Sequence, residues 1–61
     1  MKIVYVDTTK NENNELGFKN ADDFKIPHSG TIINIEDKKY ELRNASVDDS
    51  NKVSYLYLVR L

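Results

Sequence analysis

Sixty-one residues make one domain at most, residues 1–61, near the lower limit at which a chain buries enough apolar surface to fold unaided. With 39% hydrophobic residues and no cysteine, the core must be small, and neither a disulfide nor a thiolate metal site can reinforce it, so extra stabilisation has to come from self-association or a partner. Ten acidic against nine basic side chains leave a net charge of −1, which excludes a global field drawing the chain to a polyanion and argues against general nucleic-acid binding.

The N-terminal run Ile3-Val4-Tyr5-Val6 is β-branched and aromatic, of strand length and apolar on both faces, which predicts a strand covered on two sides, inside a sheet or at a subunit contact. Asp7 follows directly and no small-residue cleavage site lies behind it, so the segment does not read as a signal peptide. No apolar run approaches the roughly 20 residues of a membrane span. These features predict a soluble, cytoplasmic protein that does not engage a membrane. Asp7 to Asn14 has no apolar residue and is rich in asparagine, which predicts a solvated turn and the most mobile segment.

Leu16 and Phe18 alternate around Gly17 as a short second strand. Asn20-Ala21-Asp22-Asp23 then predicts a loop or a single helical turn capped by Asn20, too short to nucleate a helix of its own. Phe24 and Ile26 alternate again before Pro27-His28-Ser29-Gly30, a turn whose proline lacks a backbone donor.

From Gly30 to Arg43 the chain folds onto itself as a hairpin. With Asp37-Lys38 as the turn, Ile35 faces Tyr40 and Ile33 faces Leu42 on one side, and Glu36 faces Lys39 and Asn34 faces Glu41 on the other. A second hairpin turns through Asp48–Lys52, pairing Val47 with Val53, Ala45 with Tyr55, Arg43 with Tyr57, Glu41 with Val59 and Leu42 with Leu58. Tyr40 and Leu42 then share the face of Ile33 while Ala45 and Val47 lie on the other, a conflict that predicts a bulge near Asn44. Val53 to Leu61 is apolar on both faces through Tyr55-Leu56-Tyr57-Leu58-Val59, so it is expected to be central or closed against Ile3–Val6.

Four to five short strands with turn signals about every eight to twelve residues, and no helical period, predict an all-β, mainly antiparallel domain. The architecture expected is a small curled meander or barrel, SH3-like or OB-like, because closure removes edges that so short a sheet cannot otherwise hide. The block Ile26-Pro27-His28-Ser29-Gly30, then Ile33-Asn34-Ile35 and Lys39-Tyr40-Glu41-Leu42, after the Lys2–Asp7 strand, resembles short β-rich proteins common in phages and mobile elements of low-GC Gram-positive bacteria. The similarity covers about half the chain and implies a small curled sheet of phage or mobile-element origin, with no active site to carry over.

Little in the chain has the spacing of catalysis, and no cofactor is expected. His28 is the single histidine, without a paired base or further ligands at recognisable positions. Asp48, Asp49 and Asn51 cluster oxygen donors but lack the alternate spacing and terminal bidentate acid of a calcium loop, so a hairpin turn is the better reading. Asp22-Asp23 reads as a solvated loop pair rather than an acid/base couple.

Tyr55 and Tyr57 carry more information. In the predicted register they share a face of the last strand with Arg43 across from them and Lys52 at the turn, an array that could stack on bases or on a protein. Two readings stand: the tyrosines are half-buried core residues with hydroxyls at the rim, or, if Leu42, Leu56 and Leu58 face the core, they lie outside on an interaction surface. The function expected is a non-enzymatic protein-interaction module docking through a sheet face or edge, a homodimer being the simplest arrangement. The alternative is a single-stranded nucleic-acid-binding small barrel using Arg43, Lys52, Tyr55 and Tyr57.

Overall fold

The computed structural model describes all 61 residues, Met1–Leu61, as five strands and no helix. They are β1 (Lys2–Asp7), β2 (Asn14–Asn20), β3 (Ile32–Ile35), β4 (Lys38–Asp48) and β5 (Val53–Arg60), in one sheet of order β2-β1-β5-β4-β3. The expected class is the one observed: an all-β domain of five strands, mainly antiparallel, curled into a half-barrel. No helix is long and apolar enough to cross a membrane.

The pair at the centre departs from a pure meander, because β1 and β5 run parallel, Lys2 beside Val53 through to Asp7 beside Leu58. These are the two strands whose sequences are apolar on both faces, the pattern that central parallel strands show. Each is flanked on its other side by an antiparallel neighbour, β2 on β1 and β4 on β5. The parallel ladder is extended past its end by threonines. Thr8 donates its N–H (2.7 Å) and its hydroxyl (2.9 Å) to the Leu58 carbonyl, and the Arg60 N–H donates to Thr9 Oγ1 (2.7 Å). The start of the asparagine-rich turn is therefore fastened to β5.

The first predicted hairpin forms, but its turn sits one residue earlier. Glu36 and Asp37 both adopt positive φ (50° and 66°), the signature of a two-residue type I′ loop. Ile33 consequently faces Tyr40, Asn34 faces Lys39, Ile35 faces Lys38 and Ile32 faces Glu41. The partners move by two positions, which keeps every side chain on its predicted face; alternation alone could not distinguish the two registers. Leu42, expected opposite Ile33, instead serves the preceding turn: its carbonyl accepts from Gly30 N–H (2.7 Å) and its N–H donates to Thr31 C=O (2.9 Å). Gly30 takes φ +94°, which L side chains rarely adopt.

The expected bulge lies at Arg43. Leu42 faces Leu58 as predicted, but the next pair is Asn44 with Tyr57, followed by Ala45 with Leu56, Ser46 with Tyr55, Val47 with Ser54 and Asp48 with Val53. The predicted pairings of Arg43, Ala45 and Val47 with Tyr57, Tyr55 and Val53 are thus corrected by one residue. An inserted, unpaired residue shifts everything beyond it and moves Ala45 to the face of Leu42, which resolves the conflict of faces. A second bulge, at Leu16 in β2 where it passes from Tyr5 to Val6, turns Leu16 inward too.

Curling gathers Ile3, Tyr40, Leu42, Leu56 and Leu58 into the core, with Leu16 from one edge strand and Ile33 and Ile35 from the other packed on the same cluster. Residues 21–31 form no helical turn; they run as a loop that lays Ala21 and Phe24 on this inner face. The loop is tied at its start by Ala21 N–H to Met1 C=O (2.9 Å) and at its end through Gly30 and Thr31. Ser54, fully buried, donates its hydroxyl to Ser46 C=O (3.1 Å), and no buried side-chain polar atom lacks a partner.

Candidate interaction surface

The outer face of the sheet has no second layer. Across its middle run two rows of side chains: Phe18, Val4, Tyr55 and Ser46 in one, and Glu15, Val6, Tyr57 and Asn44 in the next. Lys2, Val53 and Asp48 border them on one side, and Val59, Glu41 and Ile32 on the other. Val4, Val6 and Val53 are buried although nothing packs over the sheet there, because the rings of Tyr55 and Tyr57 lie against them. The tyrosines themselves are half-buried, and Phe18 and Ile32 remain 56% and 50% exposed. Such an apolar strip rimmed by charge is what an interaction surface requires.

Of the four residues picked from the sequence, the structure brings three near one another. Tyr55 and Tyr57 share the outer face, opposite Ser46 and Asn44 rather than Ala45 and Arg43. Tyr57 Oη lies 3.5 Å from Ser46 Oγ. Arg43, as the bulge residue next to Asn44, stays on this side, 61% exposed, with Nε 3.2 Å from the Glu41 carboxylate. An ion pair so open to water contributes little to stability. Lys52 is apart from them, at the end of the β4–β5 turn with φ +53°, where its carbonyl accepts the Lys2 N–H (2.9 Å).

Sequence reasoning missed the valine ridge, Lys2, Phe18 and Glu15. Their placement depends on β1 lying parallel to β5, which no local pattern specifies. Lys2 Nζ stands 4.3 Å from the centroid of the Phe18 ring, a cation–π contact at the rim of the patch.

Charges on this face balance: Lys2, Lys39 and Arg43 against Glu15, Glu41 and Asp48. Asp48 is engaged by the turn, its Oδ1 accepting Asn51 N–H (3.2 Å) and its Oδ2 accepting from Asn51 Nδ2 (2.7 Å). The side-chain bond from Asn51, then the backbone bonds, hold its carboxyl below the usual value. At the far end of the parallel pair, Asp7 is held low in the same way, first by the hydroxyl of Thr9 and then by its N–H.

The remaining sequence candidates do not assemble. His28 is exposed in its turn, where its carbonyl accepts from the Thr31 hydroxyl (2.6 Å), and Asp22 and Asp23 are exposed in the loop. No three His, Asp or Glu side chains converge as metal ligands. A shallow groove of about 240 Å³ beside the β4 bulge is lined by Ile26, Pro27, Ser29, Leu42, Arg43, Asn44 and Ala45, but it brings no acid, base or nucleophile pair together.

In comparisons with known proteins, no family model, no curated protein and no solved structure matches the chain.

Proposed function

We propose that this protein is a non-enzymatic interaction module that docks another protein on the outer face of its half-barrel, around Val4, Val6, Tyr55 and Tyr57. The observation that carries the reading is the contrast in cover: one face of the sheet closes on the curl and the 21–31 loop, and the other, equally apolar at its centre, closes on nothing. Domains are built from packed layers, and this one supplies a single layer with a loop beneath it. A sheet edge is the weaker dock. β3 offers only four residues, and β2 is interrupted by its bulge and carries Glu15 and Lys19, the features that discourage strand addition.

The cytoplasmic setting and the phage or mobile-element origin implied by the resemblance belong to the same proposal. Single-stranded nucleic acid is the weaker occupant. The cations on the outer face are matched by carboxylates and Arg43 is already paired, whereas phosphate neutralisation supplies most of the affinity in such complexes. The test is Tyr57→Glu, which places a charge in the middle of the patch. A variant that keeps the wild-type melt but no longer retains the host protein captured by the wild type supports the reading. Equal retention by both sinks it.

A further inference from the structure

We propose that the open edge of β4, Asn44–Asp48, is a strand-addition site that takes an extended segment of another protein, antiparallel to β4, with aliphatic side chains on the inner side of the sheet. The site is separate from the outer face. β3 lies beside β4 only from Lys38 to Glu41, and Gly30 and Thr31 carry the pairing one residue further by bonding both backbone groups of Leu42. The last hydrogen bond from the loop is that of Ser29 Oγ to the Arg43 carbonyl (3.3 Å). From Asn44 to Asp48, about 17 Å of strand, β4 has β5 on one side and no strand on the other.

The backbone specifies the occupant. Leu42 aims its N–H and C=O away from β5, and the bulge at Arg43 and Asn44 counts as one position, so the residues that do the same beyond it are Ala45 and Val47. Ala45 N–H accordingly meets no strand and donates to Oδ1 of its own neighbour Asn44 (2.9 Å), while the Ala45 carbonyl and both backbone groups of Val47 face the same open side. Donors and acceptors repeating every second residue along a pleat match another extended main chain. Folded proteins blunt such edges, β3 here by its shortness and β2 by its bulge and charges. Asn44-Ala45-Ser46-Val47 has neither charge nor proline, and the Asp48 carboxylate is occupied by Asn51. Antiparallel pairing is the more stable ladder and the sense in which β3 and β5 already flank β4. Side chains complete the match. The residue opposite Ala45 would share its side, and Ala45 turns inward onto the core. There lies the groove of about 240 Å³ between Ile26 and Pro27 of the loop and Leu42 and Ala45 of β4, open to an aliphatic side chain. Val47, two residues on and 43% exposed, offers a second apolar contact on that side.

The probe is a blocked peptide, Lys-Thr-Val-Thr-Val-Thr-Lys, titrated into the isotope-labelled protein with amide exchange read residue by residue. In the free protein at low micromolar concentration, the Ala45 and Val47 amides should exchange about tenfold or more faster than that of Ser46, which faces β5. Peptide should slow both by about tenfold, with a dissociation constant below about 1 mM. Methylating both valine nitrogens removes the donors aimed at Ala45 and Val47 and should weaken binding by roughly tenfold, whereas methylating the threonine nitrogens, which point away, should not. Val47→Lys, a charge of the kind that guards natural edges, should weaken it by about tenfold with a native spectrum retained. Ala45 and Val47 amides as protected in the dilute free protein as Ser46 overturn the open edge. No binding up to about 1 mM, or equal loss from either methylation, overturns strand addition. Protection that rises with the protein's own concentration assigns the edge to a second copy and overturns the foreign occupant. Any of these failures leaves the outer face as a dock, because the Tyr57→Glu retention test reads that surface alone.

Discussion

Neighbouring residues of β5 meet opposite fates. Leu56 and Leu58 are enclosed, while Tyr55, Tyr57 and Val59, equally suited to a core, are only half-buried. Composition does not separate the two faces; cover does. The inner face gains a roof from the sheet's own curl, which brings Leu16 and Ile33 from opposite edges onto one cluster, and from Phe24 in the loop. The outer face, convex, spreads its side chains apart, and only valines small enough to hide beneath tyrosine rings become buried there. A short chain can fill one side of a sheet, and residues on the other side are left to find a partner.

Breaking the inner face should have the largest effect. Leu58→Ala removes a fully buried side chain and should cost about 2–5 kcal/mol, comparable with the whole stability of so small a domain, so its amide spectrum should lose dispersion. A Leu58→Ala variant melting with the wild type would place the core elsewhere. Gly30→Ala should cost about 1 kcal/mol in chemical denaturation, since a Cβ there meets nothing within 4 Å and the penalty is that of φ +94° alone. At concentrations where the chain is monomeric, Tyr57→Glu should shift the unfolding free energy by less than about 1 kcal/mol, the contrast with Leu58→Ala being the sharpest measure of the two faces.

The smallest effect concerns acid. Asp7 is held below the ordinary carboxylate value by Thr9, so its contribution to stability is fully present above the unfolded value near 4 and is lost as pH falls through the lower folded value. Thr9→Val removes the hydroxyl bond to Asp7, so it should flatten that acid limb and lower the melt at neutral pH, through the lost Asp7 contribution and the lost Arg60 bond together, with the gap from wild type narrowing as pH falls. Melts from about pH 2 to pH 6 would check this, an unchanged acid slope in the variant being the contrary result. Nucleic-acid stacking on Tyr55 and Tyr57 predicts tight binding of mixed-sequence single strands at low salt, lost steeply as salt rises; a charge-balanced outer face predicts none by fluorescence anisotropy.

Legible in the residues alone were the strand content, both hairpins, the shared face of Ile33, Tyr40 and Leu42, the pairing of Leu42 with Leu58, and a bulge near Asn44. All of these follow from a period of two read over a few residues, and a bulge announces itself as a break in that period. What the tertiary structure alone decided is what the period leaves free. A slip of two residues preserves every face, so the Glu36-Asp37 turn and the pairing of Ile33 with Tyr40 were open. The residue that bulges was open too, and with it whether Arg43 or Asn44 meets Tyr57. The parallel contact of β1 with β5 joins segments about fifty residues apart, and it alone sets Val4 and Val6 beside Tyr55 and Tyr57. Local alternation records which residues share a side of a strand, but the curl and the long-range pairing decide which side is roofed, because cover is made by elements distant in the chain.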